Sequence, residues 1–169
     1  MTQYDALFLK AVSLVLKHEG SEVVDDPRDP GQLTHFGFAL RDNPDLTADE
    51  IRAMTEEQAV ARYFTRWWLP YRWAHLPQGI ACKCFDCAVP MGPQDAIRAL
   101  QRACWAAGRK VAEDGVLGPE TVGAAGYVST PVLLAALKSE LAAHFRLVAA
   151  SRPQMSKYLN GWLQRSYSD

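Results

Sequence analysis

Residues 18–40 read "HEGSEVVDDPRDPGQLTHFGFAL", and this stretch decides the fold. Upstream of it, Leu7, Ala11, Leu14 and Val15 recur at helical spacing, with Phe8 and Val12 beside them, so the spacing predicts a helix over 4–18. Asp25, Asp26, Pro27, Asp29, Pro30 and Gly31 then forbid a long helix, mark consecutive turns and leave room for a short hairpin around 22–38. Glu19 therefore stands at the end of a helix with a rigid loop just after it.

That position is electrostatically unusual. The helix dipole places partial negative charge at its C-terminal end, so a carboxylate there is disfavoured and its pKa tends to rise. Apolar neighbours push the same way if the side chain is buried. A carboxylic acid still protonated near neutral pH is what glycoside hydrolysis needs to protonate a leaving oxygen. The same reaction needs a second group to position water or to stabilise the charged sugar, and Asp26, Asp29 and Thr34 lie on the loop that follows. An ordinary solvated helix end followed by Asp-Pro turns is the competing reading of these residues.

Around this stretch the chain is mainly helical. Thr47 with Glu50 and Thr55 with Gln58 form two capping boxes. The second helix is expected to stop before Pro70, and a further one spans 78–88, ended by Pro90. Gly92-Pro93 is the expected boundary. After it Ile97, Leu100 and Cys104 form the stripe of a new helix that Gly108 closes. Gly118-Pro119 opens another helix. Thr130-Pro131 starts a long one to about 150, with Leu133, Leu134, Leu137, Leu141, Phe145 and Val148 on one face, and a short helical piece ends the chain.

The 169 residues suffice for one ordinary domain or two small ones, and 49% hydrophobic with 22% charged residues is a globular composition. A net charge of −1 conceals an asymmetry. Residues 1–92 carry 9 Lys and Arg against 13 Asp and Glu, net −4, whereas 93–169 carry 9 against 6, net +3. A mildly basic second part favours an anionic partner such as cell-wall material, and its excess is too small to indicate nucleic acid. The longest apolar run, 6–16, contains Lys10 and is too short for a membrane span, and "MTQYD" lacks the basic start of a signal peptide. The expectation is a cytoplasmic product that reaches the wall after release or secretion, with no membrane insertion.

Cys82, Cys84, Cys87 and Cys104 lack two well-formed C-x₂-C pairs, and the four histidines lack metal-ligand spacing, so no metal and no cofactor are expected. Trp67, Trp68, Tyr71 and Trp73 serve either as core or as a wall on which sugars stack.

"HEGSEVVDDPRDPGQLTHFGF" closely resembles the opening of the glycoside hydrolase 108 family of bacterial and phage muramidases, E-G-G, an aspartate-proline loop, then T-x-x-G-I. "MTEEQAVARYFTRWW" and "FDCAVPMG" resemble that family's L-T-x-E-Q-A…Y-x-x-x-[WY]-W and F-D-x-A-V-N-x-G segments. "LQRACWAAGRKVAEDGVLGPETVGAA" and "FRLVAASRPQMSKYLNGWLQR" resemble the peptidoglycan-binding domain that often accompanies it. The resemblance covers nearly the whole chain. It implies a lysozyme-like domain over 1–92 and a helical peptidoglycan-binding domain over 93–169. It also implies cleavage of the β-1,4 bond between N-acetylmuramic acid and N-acetylglucosamine, in a monomeric enzyme of phage endolysin type whose partner is peptidoglycan.

By the same match Glu19 is the general acid. The loop is also similar to the E-x₈-D-x₅-T pattern of phage-type lysozymes: Thr34 falls in register, and Asp29 is assigned ahead of Asp26, although neither aspartate does. Gly37, Asp86 and Trp68 are expected at the substrate, with Asp26. Asp114, Gly115, Trp162 and Arg165 are expected in the binding module, where Trp162 and Arg165 serve as a ligand edge or as a lock on the core. Ser21, Gln32, Phe38 and Pro90 depart from the family pattern, and Ser21 and Gln32 would be strained if those positions need positive φ. A lytic transglycosylase, a binding-only wall protein and an adaptor using the basic second part are the alternatives.

Overall fold

A computed structural model describes residues 4–25 and 33–168. Its first helix, α1 (Ala6–Glu19), begins where the Asp5 side chain accepts the Phe8 N–H at 2.7 Å, and it buries Phe8, Ala11, Val12 and Val15. Gly20, at φ +74°, ends it by returning its N–H to the Leu16 carbonyl, which leaves Glu19 as the last helical residue.

The expected hairpin is a three-stranded antiparallel sheet of β1 (Val24–Asp25), β2 (Leu33–His35) and β3 (Phe38–Ala39), in the order β1-β2-β3. Thr34 pairs with Val24 on one side and Ala39 on the other, and His35 pairs with Phe38. The two residues between β2 and β3, Phe36 and Gly37, have φ of +49° and +80°, so a tight turn with both central residues in the left-handed region joins the strands. His35 ties this sheet down: Nδ1 lies 2.9 Å from the Ile51 carbonyl and Nε2 3.3 Å from that of Ser21.

Both capping boxes are present, opening α2 (Ala48–Arg52) and α3 (Glu56–Tyr63). α3 ends earlier than Pro70 requires. The chain continues through a π turn (Phe64–Trp68) and a 3₁₀ turn (Leu69–Tyr71) that contains the proline. This widened turn directs adjacent tryptophans differently. Trp68 is buried against Phe8 and Phe85, while Trp67 is partly exposed, its carbonyl taken by the Trp73 indole N–H at 2.8 Å.

α4 (Gln78–Met91) runs past Pro90 instead of stopping at it. A proline deep inside a helix costs about 3 kcal/mol. Here only Met91 follows before Gly92, at φ +91°, turns the chain and closes the end on the Ala88 carbonyl. α5 (Pro93–Ala106) starts at once, so the expected boundary is a helix corner. At its far end Gly108 and Arg109 donate to the Trp105 and Cys104 carbonyls, a Schellman closure. α6 (Pro119–Tyr127), α7 (Thr130–Ser151), a 3₁₀ segment (Pro153–Tyr158) and α8 (Leu159–Tyr167) complete the chain.

α4 is the central helix: α1 packs on it from one direction, and α5, α7 and α8 also pack against it. One apolar core runs from Phe8 and Val15 through Ile80, Phe85 and Cys84 to Leu100, Leu137 and Leu141. All four cysteines are buried free thiols. Burial pushes Cys87 up to about 12 and Cys84 well above its ordinary value, so both remain protonated small apolar groups. Among the described residues no helix is long and apolar enough to cross a membrane.

Candidate active site

Glu19 arrives at the surface because α1 ends there, yet its side chain is only 20% exposed. The β2–β3 turn packs directly on it. A Cβ on Gly37 would lie 2.8 and 2.9 Å from Cγ and Cδ of Glu19 and 2.5 Å from the Tyr63 hydroxyl oxygen, so only glycine permits this approach. Tyr63 fixes the turn by donating its hydroxyl to the Phe36 carbonyl at 2.9 Å. Burial, and next the nearby Glu19 charge, push the Tyr63 phenol well above its ordinary value, which keeps it a donor.

The other side of the carboxylate is held from α8. Arg165 Nη2 donates to Glu19 Oε1 at 2.6 Å across 146 residues of sequence. Arg165 is in turn held from behind. Its Nε lies 3.3 Å from Oδ1 of Asp86, a carboxylate on α4 that is 1% exposed. The same Oδ1 is 3.0 Å from His18 Nδ1. Asp86 Oδ2 makes no hydrogen bond among the described residues, with Lys83 Nζ 3.9 Å away. Lys83 instead donates to the Arg165 carbonyl at 2.8 Å and to Ser168 at 3.2 Å. Burial opposes the Arg165 charge, but Glu19 and Asp86 together outweigh it and raise its pKa. Two carboxylates and two cations thus balance in a nearly dry cluster, where removal of any one strands a charge.

Two grooves flank this cluster. One, of about 470 Å³, lies between the end of α1 and the segment leading into α8, with Glu19, Arg165 and Trp162 on its lining. The other, of about 270 Å³, is lined by Gly37, Tyr63, Arg66 and Trp67. Glu19 lines the first and Gly37 the second, and the two residues lie against each other.

The expected site residues separate accordingly. Glu19, Gly37, Trp162 and Arg165 are brought together, and Thr34 stands in the neighbouring strand. Asp26 and Asp29, with Gln32, lie outside the described residues. Asp86 is behind the cleft and acts through Arg165 instead of lining it. Trp68 is in the core, and Trp67 takes the groove position expected of it. Asp114 and Gly115 turn their polar groups to the protein itself: the Asp114 carboxylate accepts the Val116 N–H at 2.8 Å and the Gln101 amide at 2.7 Å, and Gly115 donates to Gln101 at 3.0 Å. Ser21 is not at positive φ, since Gly20 takes that conformation, so the strain expected there is absent.

Sequence reasoning passed over Tyr63, His18 and Lys83. Tyr63 is the tyrosine of the Y-x-x-x-W-W segment, so a signal for it existed. His18 was weighed only as a metal ligand. Nothing local marks the link from Arg165 to Glu19.

A half-buried carboxylate stands at the end of the first helix, walled by a β-turn and opening on a groove, in a lysozyme-like fold. Residues 12–92 match the family model described as glycosyl hydrolase 108, and residues 95–167 match that of a predicted peptidoglycan domain. Residues 12–92 are thus a glycosyl hydrolase 108 domain and, joined to a peptidoglycan domain, make the chain a peptidoglycan hydrolase. Eleven chains of solved structures match it. One is SagA of Brucella abortus, 24% identical with a TM-score of 0.72, the match covering 94% of this chain and 92% of that one, which is a likeness of fold. No curated protein matches.

Proposed function

We propose that the chain is an N-acetylmuramidase in which Glu19 is the general acid for the β-1,4 bond between N-acetylmuramic acid and N-acetylglucosamine. The observation that carries this reading is the environment of the Glu19 carboxylate, held at Oε1 by Arg165 and packed by Gly37 and Tyr63 beside a groove. The two oxygens divide the work. Oε1 is fixed by the guanidinium, and Oε2, which must first take up a proton, delivers it to the bridging oxygen as the bond of that oxygen to the muramoyl anomeric carbon breaks. Water then adds to that carbon and loses its proton to a carboxylate, with Asp29 ahead of Asp26 as the acceptor and Thr34 orienting the water. Residues 1–92 carry the chemistry in this reading and 93–169 hold the wall. A bacteriolytic, endolysin-type role suits such an enzyme, which acts as a monomer after release or secretion.

Mass spectrometry of fragments from purified peptidoglycan tests the reading. Wild type is expected to release reducing-end N-acetylmuramic acid and Glu19→Gln to release none. A 1,6-anhydro product would make the enzyme a transglycosylase. Release by both proteins would remove Glu19 from the role of acid, and wall binding without release by either would leave a binding protein only.

A further inference from the structure

Two exposed aromatic rings of the peptidoglycan segment, on the lining of neither groove, are held by one loop. Trp105 lies in the last turn of α5 and is 47% exposed, and Tyr127, the last residue of α6, is 75% exposed. The Trp105 indole N–H donates to the Val111 carbonyl at 2.6 Å, and Arg109 Cζ lies 3.2 Å from the centre of the Tyr127 ring. Arg109 and Val111 are two residues apart, so their Cα atoms are within about 7 Å of each other. The loop is itself fixed. Gly108 and Arg109 donate to the Trp105 and Cys104 carbonyls at 2.9 and 2.8 Å, and the Val111 side chain is buried.

Large apolar side chains scattered singly over a surface need no explanation. These two differ, because each has lost its freedom without losing its exposure. The ordering that binding a ligand would otherwise impose on them is already in place. Arg109 and the exposed Lys110 add two consecutive cations to the same loop. The acids next in sequence are turned elsewhere: Glu113 to Arg102 at 2.7 Å, and Asp114 to the Val116 N–H at 2.8 Å. Rigid rings beside cations suit a polymer with apolar faces and carboxylates. Peptidoglycan has both. A pyranose ring presents a face of C–H groups, which the negative face of an aromatic ring attracts, and its peptide stems carry carboxylates.

We propose that Trp105 and Tyr127, with Arg109 and Lys110 on the loop that holds them, form a glycan-stacking site for peptidoglycan strands, separate from the cleft at Glu19. This inference rests on residues 93–169 holding the wall and not on the role of Glu19. Sugars lie on the rings by their C–H faces, and stem carboxylates reach the two cations. An occupied site keeps the cleft beside an insoluble polymer and so raises the local concentration of uncut strand.

The test is brief co-sedimentation of the full chain with purified peptidoglycan freed of other wall polymers, in the cold so that little of it is cut. Trp105→Ala and Tyr127→Ala are each expected to weaken wall binding roughly fivefold, and the double variant roughly twentyfold, the scale on which truncated aromatic anchors act at interfaces. Tyr127→Phe keeps the ring and should bind like wild type. So should Leu147→Ala, which removes a comparably exposed apolar side chain on α7. Unchanged affinity in a double variant that melts like wild type would overturn the site and leave the wall to another surface of the segment. Tyr127→Phe binding as weakly as Tyr127→Ala would overturn stacking as its basis. If Trp105→Ala fails to fold, Tyr127→Ala, at a mostly exposed position, decides by the same fivefold loss. No wall binding by wild type would sink the wall-holding reading, and the site with it.

Discussion

Two glycine turns, one in each half of the chain, look alike in sequence and do opposite things. Phe36-Gly37 joins two strands, and Asp114-Gly115 joins two helices; Gly37 and Gly115 have φ of +80° and +74°. The first turn keeps its surface against the Glu19 carboxylate, with Tyr63 holding it from behind. The second turn spends its polar groups inward on Gln101, a side chain that is fully buried and also reaches Thr121 and the Val116 carbonyl. A turn becomes part of a site only when its backbone groups are satisfied by something other than the face it presents. Positive φ alone marks geometry.

Gly37→Ala is the strongest way to break this contrast. The new methyl must displace the Tyr63 hydroxyl or Glu19 itself, and an Ala at positive φ costs about 1–2 kcal/mol in addition. Turnover on purified peptidoglycan is expected to fall roughly a hundredfold, the effect of an ångström-scale misplacement of a reacting group. Near-normal turnover would mean that the turn does not set the position of the carboxylate.

Gln101→Ala sharpens it from the other side. The substitution strands the buried Gly115 N–H and the Thr121 oxygen, so a loss of about 2 kcal/mol in denaturant titration is expected. Turnover per folded molecule should stay at the wild-type level. A parallel loss of turnover would show that the second turn also reaches the site.

The smallest effect is on pH dependence. The Val116 N–H, then the Gln101 amide, hold the Asp114 carboxyl below its usual range. Its native pKa is therefore lower than its unfolded one. The stability it contributes is full above about pH 4 and is lost as pH falls through the native value. Denaturation midpoints of Asp114→Asn should accordingly depend less on pH than wild type below pH 4. Identical slopes would mean that the carboxylate adds nothing to the turn.

The helices were legible because their signals are local. Both capping boxes, the Gly108 closure and the apolar stripes of α1, α5 and α7 are short-range patterns, and each appears with bounds close to those expected. Pro90 misled because a proline's penalty depends on how much helix follows it, and only one residue does. At the site, Glu19 was readable from its place at a helix end, and Gly37 from the family motif. Trp68, expected at the substrate, lies in the core and Trp67 at the groove, where the chain runs through a π turn outside any regular helical period. Arg165 was assigned to the wall-binding part by its place in the chain, while packing through α4 carries it to Glu19. Contacts of that length leave no trace in spacing.

Synthesis delivers the two ends of that ion pair at different times. Glu19 leaves the ribosome 146 residues ahead of Arg165, an interval of roughly 7–30 s at cellular elongation rates. Throughout it the nascent chain has the carboxylate without the cation that orients it, and α4 lacks the helices that cover it. A chain broken off in that interval carries the glutamate and no finished cleft. In the muramidase reading, wall-cutting capacity therefore waits on the docking of α8, which ties the onset of a hazardous activity to the folding of the peptidoglycan segment.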